Sequence, residues 1–79
     1  TASIRIKPDD GTFVMRGFAY SFQREFDKAI ADYNTAIRLN PTSGVAYYNR
    51  ALANDALGNV DQAKIEADFS RARELGFED

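Results

Sequence analysis

The chain has 79 residues, room for one domain, and at that size it folds only marginally without a disulfide, a metal or a partner. It contains no cysteine, histidine or tryptophan, which excludes disulfides, thiolate metal sites and cysteine nucleophiles and removes the usual general base. Ten basic against twelve acidic residues give a net charge of −2 with Lys and Arg scattered along the chain, so nucleic acid is not the expected ligand, and no apolar run reaches the length of a membrane span.

In chain order, the first feature is Ile4-Arg5-Ile6-Lys7-Pro8 followed by Gly11, which mirrors Ile37-Arg38-Leu39-Asn40-Pro41 followed by Gly44. The chain therefore reads as beginning inside a repeated unit, with residues 1–8 the end of a truncated repeat. A first helix is predicted near 12–23, started by Asp10 or Thr12 as N-cap. Phe13, Gly17 and Tyr20 make one stripe of it, with Val14, Phe18 and Phe22 a second beside them, so it is apolar on two sides.

A second helix is predicted near 26–39, where Phe26, Ala29, Ile30, Tyr33, Ala36 and Ile37 recur at intervals of three and four. Pro41 breaks it and Ser43 caps the next, near 45–57, which ends at Gly58. A shift of 34 pairs the halves: Phe13 with Tyr47, Arg16 with Arg50, Gly17 with Ala51, Ala19 with Ala53, Phe26 with Val60, Asp27 with Asp61 and Ala29 with Ala63. Gly17 facing Ala29, and Ala51 facing Ala63, would let the helices of each pair approach closely. Arg16 and Arg50 are expected to pack their stems across the pair instead of binding an anion.

In the last helix, near 60–75, the shift becomes 36: Asp32 pairs with Asp68, Tyr33 with Phe69, Ala36 with Ala72 and Leu39 with Leu75. Two extra residues between Ala63 and Phe69 would turn the helix face by about 200°. Either a bulge or kink returns Val60, Ala63 and Ala67 to the core with Ile65, Phe69 and Ala72, or the latter set is an apolar face for another copy. Asn54, in the place of Tyr20, predicts looser packing in the second unit. Arg73 in the place of Ile37, with Gly76-Phe77 in the place of Asn40-Pro41, reads as the polar end of an array.

Phe13, Gly17, Tyr20, Phe26, Ala29, Tyr33, Ala36 and Pro41 together resemble the tetratricopeptide-repeat family, whose period is also 34. The resemblance implies an all-α fold of antiparallel helix hairpins stacked as a short right-handed solenoid. It divides the chain into a remnant at 1–8, a first full unit at 9–43 and a second unit at 44–79 with the two-residue insertion. In such repeats the first helix of each hairpin lines a concave groove for peptide segments. By resemblance the groove residues are Val14, Phe18, Ser21 and Phe22, then Tyr48, Asn49, Leu52 and Asp55. Some members grip a terminal carboxylate with lysine and asparagine; here Val14 and Phe18 stand at those places and only Asn49 is retained, so such a clamp is not expected.

The function these residues imply is a protein-protein interaction module that binds a peptide or partner protein through an apolar groove. The alternative is a self-associating scaffold using the groove or the final helix, because fewer than about three repeats rarely stand alone. No catalytic, metal or cofactor site is expected: the carboxylates lack a joint acid-base or metal spacing, and the glycines form no phosphate cradle. The chain reads as soluble, with its compartment left open.

Overall fold

The structure is a computed structural model that describes residues 9–58 and 61–77. Residues 1–8, Val60 and the two C-terminal acidic residues lie outside the described residues. Helix α1 runs Asp10–Phe22, α2 Phe26–Leu39, α3 Gly44–Leu57 and α4 Gln62–Glu74, each within two residues of its predicted bounds.

Each boundary has a local chemical cause. Asp9, not Asp10 or Thr12, is the N-cap of α1: its carboxylate accepts the Thr12 N–H at 2.9 Å and the Thr12 hydroxyl at 3.1 Å. Those bonds hold the Asp9 carboxyl below its ordinary pKa of 3.8, the Thr12 backbone N–H contributing most. α1 ends where the Glu25 N–H bonds Tyr20 O at 2.9 Å and the Arg24 N–H bonds Ser21 O at 3.0 Å, which forces Arg24 to a φ of 62°. Ser43 caps α3 by accepting the Ala46 N–H, and Gly58 closes α3 at a φ of 75°, both as expected. Asp61 caps α4 by accepting the Ala63 N–H at 3.3 Å.

α1 packs on α2, α2 on α3 and α3 on α4, while α1 also touches α3. The two hairpins share one core, in which Val14, Ala29, Tyr33, Ala36, Ala46 and Ala53 are buried. Alanines dominate it, so the backbones lie close and Tyr33, fully buried, supplies the bulk. What Gly17 makes room for is that ring: a Cβ there would stand 2.6 Å from Tyr33 Cε1. The atoms nearest to a Cβ on Gly17 are therefore those of the Tyr33 ring, which shares the core with Ala29.

Each hairpin is also locked by a buried carboxylate. Arg16 of α1 donates to both oxygens of Asp32 of α2, from Nε at 2.8 Å and Nη2 at 2.7 Å. Arg50 of α3 does the same to Asp68 of α4, at 2.9 and 2.7 Å, and its third nitrogen donates to Asn34 Oδ1 of the preceding hairpin at 2.9 Å. The guanidiniums lie over the rings of Phe13 and Tyr20 in the first unit and Tyr47 in the second. The arginine stems cross the hairpin as expected, and the anion they meet is the chain's own.

The two-residue insertion resolves differently from either sequence expectation. Ala63 and Ala67 are exposed, whereas Ile65, Asp68 and Ala72 are buried. Ile65 thus takes the core place of Ala29, and the whole of α4 keeps the 36-residue shift. α3 is one residue longer than α1, and its C-cap Gly58 stands one residue further from the α4 N-cap Asp61 than Gln23 does from Glu25, so α4 needs no bulge. Near Asn54 a hollow of about 330 Å³ opens beside Ile30, Asn34 and Lys64.

Candidate functional site

α1 and α3 lie side by side, and an apolar hollow forms where their C-terminal halves meet the start of α2. Phe18, Ser21 and Phe22 of α1, Phe26 of α2, and Asn49, Leu52 and Ala53 of α3 line about 210 Å³. Helical spacing brings this about: Phe18, Ser21 and Phe22 recur at three and four on one helix, and Asn49, Leu52 and Ala53 on the other.

The aromatic side chains are the unusual part of the site. Phe18 is 45 % exposed and Phe22 85 %, with Leu52 at 43 % across from them. The two rings meet edge to face with centroids 6.1 Å apart. Asn49 is buried at the floor, where its amide nitrogen donates to Val45 O at 2.8 Å. Ser21 Oγ lies 3.4 Å from the Tyr33 hydroxyl, joining the hollow to the core ring. Burial pushes the Tyr33 phenol above its ordinary pKa of 10.0, with the Ser21 hydrogen bond opposing that rise. No lysine or arginine lines the hollow.

Of the residues expected to face a groove, Phe18, Ser21, Phe22, Asn49 and Leu52 come together here. Val14, Tyr48 and Asp55 do not. Val14 is 8 % exposed and belongs to the shared core, one turn before Phe18. Tyr48, at the equivalent position of the second unit, turns onto Phe69 and Phe77, with centroids 5.4 and 4.9 Å away. Asp55 is exposed beyond the lining. Phe26 and Ala53 were not anticipated; Phe26 was read as hairpin core, and Ala53 has no side-chain signature beyond its place four residues after Asn49.

The expected self-association face on α4 is corrected by burial. Ile65 and Ala72 are 2 % and 1 % exposed, and Phe69 is half-buried against Tyr48. Ile65 and Ala72 thus pack inside the second hairpin and are not open to another copy. Among the described residues no cluster of carboxylates could hold a metal ion, and no helix is long and apolar enough to cross a membrane.

The profile of the TPR repeat matches residues 17–58, from Gly17 under Tyr33 to the Gly58 cap. The chain belongs to the tetratricopeptide-repeat family. It is 33 % identical over 49 residues, 62 % of its length, to the Hsp70-Hsp90 organising protein of Plasmodium falciparum (isolate 3D7), and the match covers 9 % of that protein. No solved structure matches the chain. TPR repeats are protein-protein interaction modules, and in this TPR chain the hollow between the first helices of the two hairpins is where exposed apolar side chains gather.

Proposed function

We propose that this TPR module holds a short apolar segment of a partner protein in the hollow between α1 and α3. The observation that carries the reading is the exposure of Phe18, Phe22 and Leu52 around one concavity. Large aromatic and aliphatic side chains left in water at a concave site are the usual anchors for peptide recognition, because covering them releases apolar surface from solvent. The likeness to a protein named for organising Hsp70 and Hsp90 supports another protein as the ligand class. The lining has no cationic side chain to pair with a terminal carboxylate, so the segment that fits presents apolar side chains, with Ser21 and Asn49 the polar groups beside them.

The test is a selection of displayed random peptides against the chain, followed by affinity measurement on Phe18→Ala and Leu52→Ala. Both positions are surface-facing, so circular dichroism should be unchanged while the selected peptides bind at least about tenfold more weakly. Equal affinity for parent and variants contradicts the reading. Sedimentation of the chain alone separates this from self-association, in which a Phe22-dependent dimer would form without any peptide.

A further inference from the structure

The two units differ where a lysine of the second helix meets the first. In the first unit Lys28 of α2 donates to Glu25 at 2.9 Å, and its ammonium lies 5.7 Å from the centre of the Tyr20 ring. Its counterpart at the shift of 36 is Lys64 of α4, and there both partners have changed. Asn54 stands in the place of Tyr20. Asp61, in the place of Glu25, is a methylene shorter and accepts the Ala63 N–H at 3.3 Å as the N-cap. Among the described residues Lys64 has no ion-pair partner, and it lines the hollow of about 330 Å³ that opens beside Asn54 between α2, α3 and α4.

We propose that this hollow binds the carboxylate of a glutamate side chain on a partner protein, at a site separate from the apolar hollow between α1 and α3. Asn34 accepts from Arg50 through Oδ1 at 2.9 Å, which leaves its amide nitrogen to donate elsewhere. The half-buried Asn54 amide makes no side-chain hydrogen bond among the described residues. Two amide donors and one ammonium suit a carboxylate, which only accepts. The other charges of the lining cancel, because Arg50 donates to both oxygens of Asp68, so Lys64 leaves the hollow with one net positive charge. That matches a carboxylate better than a phosphate group of charge about −2. Ile30 and Ala67 complete the lining, an apolar wall on which the two methylenes of a glutamate can lie.

Stacking of a further repeat does not account for the hollow. Its walls come from both hairpins, Ile30 and Asn34 from the first and Asn54, Lys64 and Ala67 from the second. It is therefore a seam whose two sides are already present, not an end face. Among the described residues α2 and α4 do not pack on each other, and α3 lies between them. The seam stays open because the ring that covers the corresponding place in the first unit has become an asparagine.

The experiment titrates the whole chain, isotopically labelled, with a blocked tripeptide carrying glutamate between two alanines, with its glutamine counterpart and with inorganic phosphate. Saturable shifts of the Asn34 and Asn54 side-chain amides and of the Lys64 backbone amide are expected from the glutamate peptide, weaker ones from phosphate and none from the glutamine peptide. Lys64→Gln, at an exposed position, should weaken binding about three- to tenfold with unchanged circular dichroism. Asn54→Tyr, which restores the ring of the first unit, should abolish it, and Lys28→Gln should change nothing. The proposal is overturned by absence of saturable shifts, by equal shifts from the glutamine peptide, by tighter binding of phosphate, by indifference to Lys64→Gln, or by a Lys64-dependent dimer of the chain alone. Leu52→Ala should leave this site unaffected, so its failure and that of the α1–α3 hollow are told apart.

Discussion

Gly17 lies so close under Tyr33 that an added Cβ would meet the ring at 2.6 Å, while the ring itself is wholly buried. Neither partner can yield cheaply, because the ring is enclosed by the core. Gly17→Ala should cost about 1–3 kcal/mol in urea denaturation despite improving helix propensity. Trimming the ring with Tyr33→Leu in the same chain should recover part of that loss, so the two changes are not additive.

The Arg50–Asp68 pair is more enclosed than Arg16–Asp32: the arginine side chains are 24 % and 58 % exposed. Both carboxylates raise the arginine pKa above its ordinary value, through the hydrogen bonds first. A double-mutant cycle on Arg50→Met and Asp68→Asn should give a coupling of about 1–3 kcal/mol, and the Arg16 and Asp32 cycle a smaller one. Equal couplings would show that enclosure does not set their strength.

Arg24 holds a left-handed backbone at a φ of 62° to close α1, a place glycine takes at Gly76 after α4. Arg24→Gly relieves a steric cost of about 1–2 kcal/mol and gives back some chain entropy. A net gain of about 0.5–1 kcal/mol is expected from thermal denaturation.

These elements also show what could be read without coordinates. The helices were legible because apolar spacing and capping residues agree, and the repeat because Phe13, Gly17 and Tyr20 recur as Tyr47, Ala51 and Asn54. The insertion was misplaced because periodicity counts residues along a helix and cannot see that a turn has lengthened. The Asp68 and Ala72 matches at a shift of 36 extend back to Ile65, which pairs with Ala29 at that shift where the sequence reading pairs Ala29 with Ala63. In the hollow, Phe18, Phe22 and Leu52 were legible by register. Val14 and Tyr48 share that register but lie a turn earlier, where packing depth and not helix face decides exposure.

Tyr33 gives the fold an alkaline limit. Its folded pKa is raised, so above about pH 10 the unfolded chain loses the phenol proton while the folded chain keeps it. The unfolded state then binds fewer protons, and stability falls as pH rises, by at most about 1.4 kcal/mol per pH unit for this group. Below that range its contribution is fully present. Urea midpoints measured between neutral pH and pH 11 should drop at the alkaline end, and Tyr33→Phe should flatten that drop.

The hollow itself is tested most directly by mapping a selected peptide onto the labelled chain by amide shift perturbation. The account predicts shifts gathered on Phe18, Ser21, Phe22, Leu52 and Ala53, with Glu66 and Arg73 of α4 silent. A peptide that binds tightly and perturbs α4 while leaving the hollow unchanged would contradict it.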